Sequence, residues 1–141
     1  MVGAIVAKAY LDTNVFFYAV DGRDPVKQAR ARKLISDLAR TGDGVVSAQV
    51  MQEFAHNAMK KLGFSPDQTI ALCDGFADHT VVRPDLGLLR ATLRLMESAS
   101  ISFWDAGIVA AAEQAQCKVL YTEDLSSGQR IGGVRVVDPF V

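Results

Sequence analysis

Lys8-Ala9-Tyr10-Leu11-Asp12-Thr13-Asn14 is a short apolar run that stops at a carboxylate and passes without a break into Val15-Phe16-Phe17-Tyr18. The run reads as a buried strand and the aromatic segment as the helix after it. A strand that hands an Asp from its carboxyl end to the start of a helix is a placement α/β proteins use to hold an acid that handles phosphate or metal. The same Asp is also a good helix N-cap, because its side-chain oxygen accepts from the unpaired amides of the first turn. The two readings separate only if the rest of the chain sends other carboxylates to the same place.

Outward from this stretch, helices and strands alternate. Asp21-Gly22-Arg23-Asp24-Pro25 is a turn with Pro near the first helical position. Ala31, Leu34, Ile35 and Leu38 follow at helical spacing and Gly42 closes the helix, whose other face carries Lys27, Arg30 and Lys33 and reads as solvated. Gly44-Val45-Val46-Ser47 is a second strand, and Ser47 caps a helix from about Ala48 to Leu62 that ends at Gly63. Ser65-Pro66-Asp67-Gln68 is a capping-box pattern that opens a helix running to about Asp78. His79 to Val82 is a third strand. Pro84-Asp85 then opens a helix with Leu86, Leu89, Leu93 and Met96 on one face. Phe103 to Gln116 is a further helix, Lys118 to Thr122 a fourth strand and Val134 to Val137 a fifth. β-Branched runs alternating with helices, with no hairpin signal read between them, predict a parallel sheet covered on both faces.

Composition sets the limits. The 141 residues suit one domain and bury roughly two-thirds of their unfolded surface. Half of them are hydrophobic and 22% charged, which excludes a disordered chain. Fifteen basic and sixteen acidic residues leave a formal charge of −1, so no global field gathers nucleic acid and a polyanion would need a local patch. Cys73 and Cys117 lack metal-ligand spacing and read as free core thiols of a reducing, cytoplasmic environment. Residues 1–7 are apolar but too short to span a membrane and carry no basic n-region; they read as an extension ahead of the domain rather than a secretion signal.

Asp105 is the most informative single residue. It is the only charge between Phe103 and Ala112, in a helix apolar all round and therefore expected to be buried on every side. A carboxylate there needs hydrogen bonds, a cation or a raised pKa to offset desolvation, with some help from its first-turn position. Asp124 lies just beyond the fourth strand, as Asp12 lies beyond the first, and the carboxyl edge of a parallel sheet is one shared rim. Glu53 stays open at this stage. On a helical wheel it points away from the apolar stripe of Met51, Phe54, Ala55, Ala58 and Leu62, which fits either a solvated residue or the wall of a cleft. Glu53-x-x-His56 is half of a di-iron carboxylate motif with no second copy, so His56 reads as a surface residue.

Four clustered acids would repel one another by roughly 3 kcal/mol per pair at about 5 Å and an effective dielectric of about 20. Such a cluster makes sense only with a cation. Oxygen ligation without Cys or His selects hard ions, so one or two Mg²⁺ or Mn²⁺ are implied, which activate water and neutralise a phosphodiester leaving group.

Leu-Asp-Thr-Asn at 11–14, Glu53 before Phe54, Phe-Trp-Asp-Ala at 103–106 and Tyr-Thr-Glu-Asp-Leu at 121–125, followed by Gly128-Gln129, together resemble the PIN-domain ribonucleases. The likeness is nearest to VapC-type toxins of bacterial toxin–antitoxin pairs and runs from Lys8 to Phe140. It implies a three-layer α/β/α sandwich around a central, mainly parallel sheet of about five strands, and a metal-dependent endoribonuclease acting on tRNA, rRNA or mRNA. It further implies a cognate antitoxin that blocks the acidic pocket with an Arg or similar group, and a homodimer. Carried over by position, Asp12, Glu53, Asp105 and Asp124 become the metal-binding catalytic quartet, with Asn14 and Thr122 as polar supports. Charge and approximate position nominate Arg23, Lys27, Lys60 and Arg130 for RNA contact.

Two other classes compete. A phospho-acceptor or phosphohydrolase domain would use Asp12 as its nucleophile, but Asn14 stands where a haloacid-dehalogenase-like enzyme has its second Asp, and no Lys ends the last strand as in a receiver domain. A catalytically silent RNA-binding PIN domain would not need all four acids.

Overall fold

The computed structural model describes residues 8–141, so the reading of residues 1–7 as an extension lies outside the described residues. The chain runs β1 (Ala9–Leu11), α1 (Thr13–Val20), α2 (Pro25–Thr41), β2 (Gly44–Ser47), α3 (Ala48–Leu62), α4 (Pro66–Phe76), β3 (Thr80–Val82), α5 (Leu86–Ala99), α6 (Phe103–Gln114), β4 (Val119–Tyr121), β5 (Arg130–Ile131) and β6 (Val134–Val137). Local chemistry sets most of these boundaries. Gly42 and Gly63 take left-handed φ values of +76° and +70° to end α2 and α3, a conformation that costs glycine little. Ser47 caps α3 through the amide of Val50, and Ser65 and Gln68 form the reciprocal capping box of α4.

The strands form one six-stranded sheet in the order β3-β2-β1-β4-β6-β5, flanked by helices as a three-layer α/β/α sandwich. β1, β2, β3, β4 and β6 are parallel, and β5 pairs antiparallel with β6. This last pair corrects the sequence reading, which has five strands and no hairpin. Gly132-Gly133 is the missed signal: it joins Ile131 to its partner Val134 as a two-residue loop, and Gly132 has a φ of +59°. The pairing sets Arg130 directly opposite Arg135, both exposed, at the sheet's outer edge.

The central strands are buried on both faces. Tyr10, Leu11, Val46, Leu120 and Val136 are fully inaccessible, as expected of a parallel sheet covered by helices. α6 lies across β2, β4 and β6 with α5 packed outside it, and α1 packs on α2 and α3. From Ala106 to Ala112 nearly every residue of α6 is buried, but Trp104 in its first turn is 65% exposed, against the expectation of burial on every side. α5 also departs from a simple reading: Leu88, Leu95 and Ala99 pack on the core, while Leu86, Leu89 and Leu93 of the neighbouring stripe face outward. No helix among the described residues is long and apolar enough to cross a membrane.

Close packing at the start of β2 gives a stability prediction. A Cβ built on Gly44 would meet the ring of His79 at 2.0 Å, and that ring is buried with Nδ1 bonded to the Phe76 carbonyl. Gly44→Ala is therefore expected to cost roughly 1–3 kcal/mol through overpacking, read as a lower midpoint in urea unfolding.

Candidate active site

The site grows from the register of the two central strands. Leu11 pairs with Tyr121, so the residues that follow, Asp12 and Thr122, leave the sheet side by side, and the Asp12 amide donates to the Tyr121 carbonyl at 3.1 Å. Beneath them, the Tyr10 hydroxyl and Ser47 Oγ lie 2.6 Å apart and tie β1 to the start of α3. Burial drives the Tyr10 phenol far above its ordinary range, so it stays neutral.

Asp12 does both jobs that the sequence set against each other. Its Oδ1 accepts from the Thr13 amide at 2.7 Å, capping α1, and its Oδ2 accepts from Thr122 Oγ1 at 2.8 Å. The residue is 8% exposed. Burial pushes its carboxyl up to about 6; the Thr13 and Thr122 bonds pull the other way, and Asp124 and Glu53 add to the rise.

Short polar side chains link the other acids to it. Thr122 Oγ1 also accepts from the Asp124 amide at 3.0 Å and from Asn14 Nδ2 at 3.1 Å, and the same Asn14 nitrogen donates to Asp124 Oδ2 at 3.2 Å. Glu53, left open by the helical wheel, is turned inward: Oε2 accepts from Thr13 Oγ1 at 2.8 Å and Oε1 from Gln49 Nε2 at 3.0 Å. Asp12, Glu53 and Asp124 thus belong to one hydrogen-bonded cluster, through Thr13, Thr122 and Asn14. Asp105 is not joined to it by a hydrogen bond. It sits half-buried in the first turn of α6, its amide bonded to the capping Ser102, and its carboxylate takes no hydrogen bond from the described residues. The link between α6 and the cluster is Gln49, whose Nε2 also donates to the Trp104 carbonyl at 3.4 Å.

The electrostatics of the cluster are one-sided. Among the described residues, no Lys or Arg pairs with Asp12, Glu53, Asp105 or Asp124. Asn14 Oδ1 is buried and accepts no hydrogen bond. A one-signed set of oxygen donors with an orphaned carbonyl oxygen beside it fits a hard cation. As the side chains stand, no group of three or more His, Cys, Asp or Glu among the described residues is gathered closely enough to hold an ion.

The four basic candidates lie away from these contacts. Arg23 is forked onto Asp21 at 2.8 and 2.9 Å and depresses that carboxyl. Lys27 is drawn inward from the solvated face expected of α2: it pairs with Glu123 at 2.9 Å and lies 4.5 Å over the Tyr18 ring and 5.5 Å over that of Phe140. Lys60 in the last turn of α3 and Arg130 on β5 are exposed. His56 is exposed, as the incomplete metal motif suggests. Gln49 went unnoticed in the sequence, although its position one turn before Glu53 on α3 is the spacing at which side chains meet.

The fold and this arrangement of acids define a class, and the chain belongs to it: residues 9–127 match the PIN domain family. Solved structures share the architecture. A toxin–antitoxin complex from Klebsiella pneumoniae superposes with a TM-score of 0.72 at 19% identity, over 94% of this chain and 98% of that one. A DNA-bound VapBC from Salmonella typhimurium gives 0.70 at 21% identity, over 95% and 99%. The Mycobacterium tuberculosis VapC20 toxin, described as cleaving the sarcin–ricin loop, gives 0.60 at 14% identity, over 80% and 87%. No curated protein sequence matches the chain.

Proposed function

We propose that the chain is a metal-dependent endoribonuclease of the VapC toxin type, and that Asp12, Glu53, Asp105 and Asp124 are its working acids. The observation that carries this reading is the buried Asp12, bridged by Thr122 and Asn14 to Asp124 and by Thr13 to Glu53, with no Lys or Arg among the described residues paired with these acids. Asp12, Glu53 and Asp124 would hold Mg²⁺ or Mn²⁺, with Asp105 joining from α6. A divalent cation there supplies Lewis acidity toward a phosphodiester and its attacking water. The chain's own groups do the positioning. Thr122 fixes the Asp12 carboxylate, Asn14 turns Asp124 toward it, and Thr13 and Gln49 fix both oxygens of Glu53. Asp105, with no hydrogen-bond donor of its own among the described residues, is free to accept the proton of a water that attacks phosphorus.

The relatives described as a toxin–antitoxin complex and a DNA-bound VapBC support a cognate antitoxin as partner; that it neutralises the acids with a cationic side chain, and that the chain forms a homodimer, are further parts of the proposal. Total RNA incubated with the protein and Mg²⁺ or Mn²⁺ tests the chemistry. We expect discrete cleavage that EDTA stops and that falls at least about 100-fold in Asp105→Asn, the order of effect of removing a general base. Equal cleavage by both proteins would remove Asp105 from the site. Binding without cleavage would favour a silent RNA-binding domain, and an aspartyl-phosphate adduct would favour a phospho-acceptor.

A further inference from the structure

Trp104 is the chain's single tryptophan, and it stands 65% exposed at the head of a helix whose run from Ile108 to Ala112 is buried in the core. It borders a groove whose other wall is α3, where Gln49, Gln52, Glu53, His56 and Asn57 recur at helical spacing on one face, with Lys60 the next residue in the series. The two walls are fixed to each other: Gln49 Nε2 donates both to the Trp104 carbonyl at 3.4 Å and to Glu53 Oε1 at 3.0 Å. Phe103 and the indole are perpendicular, with centroids 5.0 Å apart and planes at 90°, so the two rings are not stacked face to face. The groove therefore joins a flat exposed π-surface to three amide side chains and an imidazole able to pair with a base edge, and it leads directly to Glu53 of the proposed site.

We propose that Trp104 is a substrate-positioning residue of this groove, one unpaired base of the RNA stacking on its indole next to the bond to be cut. The proposal rests on the ribonuclease reading and adds to it the residue that seats the substrate. Aromatic stacking tolerates any base but needs one that is unpaired, so a duplex is excluded from the platform. The amides of Gln52 and Asn57 supply base-edge contacts, and Lys60, the next exposed residue of the α3 series, offers a cation to the RNA backbone.

The single tryptophan makes the test direct. An Asp12→Asn protein, which leaves the RNA uncut, is titrated with a short unstructured oligoribonucleotide in Mg²⁺ while tryptophan emission is followed. We expect quenching by the single strand and none by the same sequence as a duplex. Followed instead by the fluorescence anisotropy of a dye-labelled copy of the same oligoribonucleotide, Trp104→Ala is expected to weaken binding by about tenfold, with Trp104→Phe restoring most of it. In the otherwise native protein Trp104→Ala is expected to raise KM by a similar factor and leave kcat little changed. Unaltered affinity in Trp104→Ala, or unaltered emission in RNA-saturated protein, overturns the proposal. So does emission that shifts with protein concentration alone, which places Trp104 between copies of the chain. Quenching with no cleavage by the native protein overturns the ribonuclease reading and leaves the groove standing; cleavage without quenching overturns the groove alone.

Discussion

Asp12→Asn is expected to raise the melting temperature of the metal-free protein at pH 8 while abolishing its cleavage of RNA. The Asp12 carboxyl titrates at about 6 in the folded chain against an ordinary value of 3.8. A folded pKa above the unfolded one means that its contribution is fully present below about pH 4 and is lost as pH rises through 6. At pH 8 the ionised Asp12 therefore costs the metal-free fold up to about 3 kcal/mol, at about 1.4 kcal/mol per pH unit. Asn removes the charge but returns part of the gain. Thr122 Oγ1 already accepts from Asn14 and from the Asp124 amide, so a new amide aimed at it finds both acceptor positions taken. The net gain is about 1–2 kcal/mol, or roughly 3–6 °C for a chain of this size. Thermal melts in EDTA at pH 5 and pH 8 measure it: the native protein should lose stability between the two and the variant should lose less. With Mg²⁺ the order should reverse, because only the native chain keeps the full set of oxygen donors. A lower melting temperature for Asp12→Asn in EDTA at pH 8 would mean that no crowded negative charge is relieved there.

The second large effect is expected at Thr122, which is fully buried although the proposed chemistry uses it only as a support. Its hydroxyl donates to Asp12 Oδ2 and accepts from Asn14 Nδ2 and the Asp124 amide, which uses its whole hydrogen-bonding capacity. Val has nearly the same shape and none of that capacity. Thr122→Val is expected to cost about 2–4 kcal/mol, because it strands a buried carboxylate oxygen and loosens the two groups that aim Asp124. Its signature should separate it from a packing defect. With the Thr122 donor gone the Asp12 carboxyl rises further, so the loss of metal-free stability should move to higher pH than in the native protein. Thr122→Ser, which keeps the hydroxyl, should restore most of both. A Thr122→Val protein whose pH profile superposes on the native one would show that Thr122 does not govern Asp12.

Local chemistry explains what was legible in the sequence. Gly42, Gly63, Ser47 and the Ser65–Gln68 box each act within a few residues, so the helices they bound could be placed without a structure. The alternation of helices with β-branched runs was enough for a parallel sheet. β5 was missed because two residues carry no periodicity, although Gly132-Gly133 marked the turn. In the site, Asp12 and Asp124 were legible as strand-end acids because register alone brings them together. Glu53 was not, since its orientation depends on Thr13, forty positions away in the chain. Lys27 misled for the same reason: nothing near it in sequence announces Glu123. Asp105 was read as the most informative acid, yet it is the one the hydrogen-bond network leaves aside.

The arginines facing each other across β5 and β6 bear on how the protein behaves when crowded. A free sheet edge is a template on which a further strand can add, and repeated addition is how fibrils grow. Here the edge strand is two residues long, and any incoming strand would meet two like charges set opposite one another. The hairpin missing from the sequence reading thus closes this side of the sheet with a surface that repels fibrillar stacking.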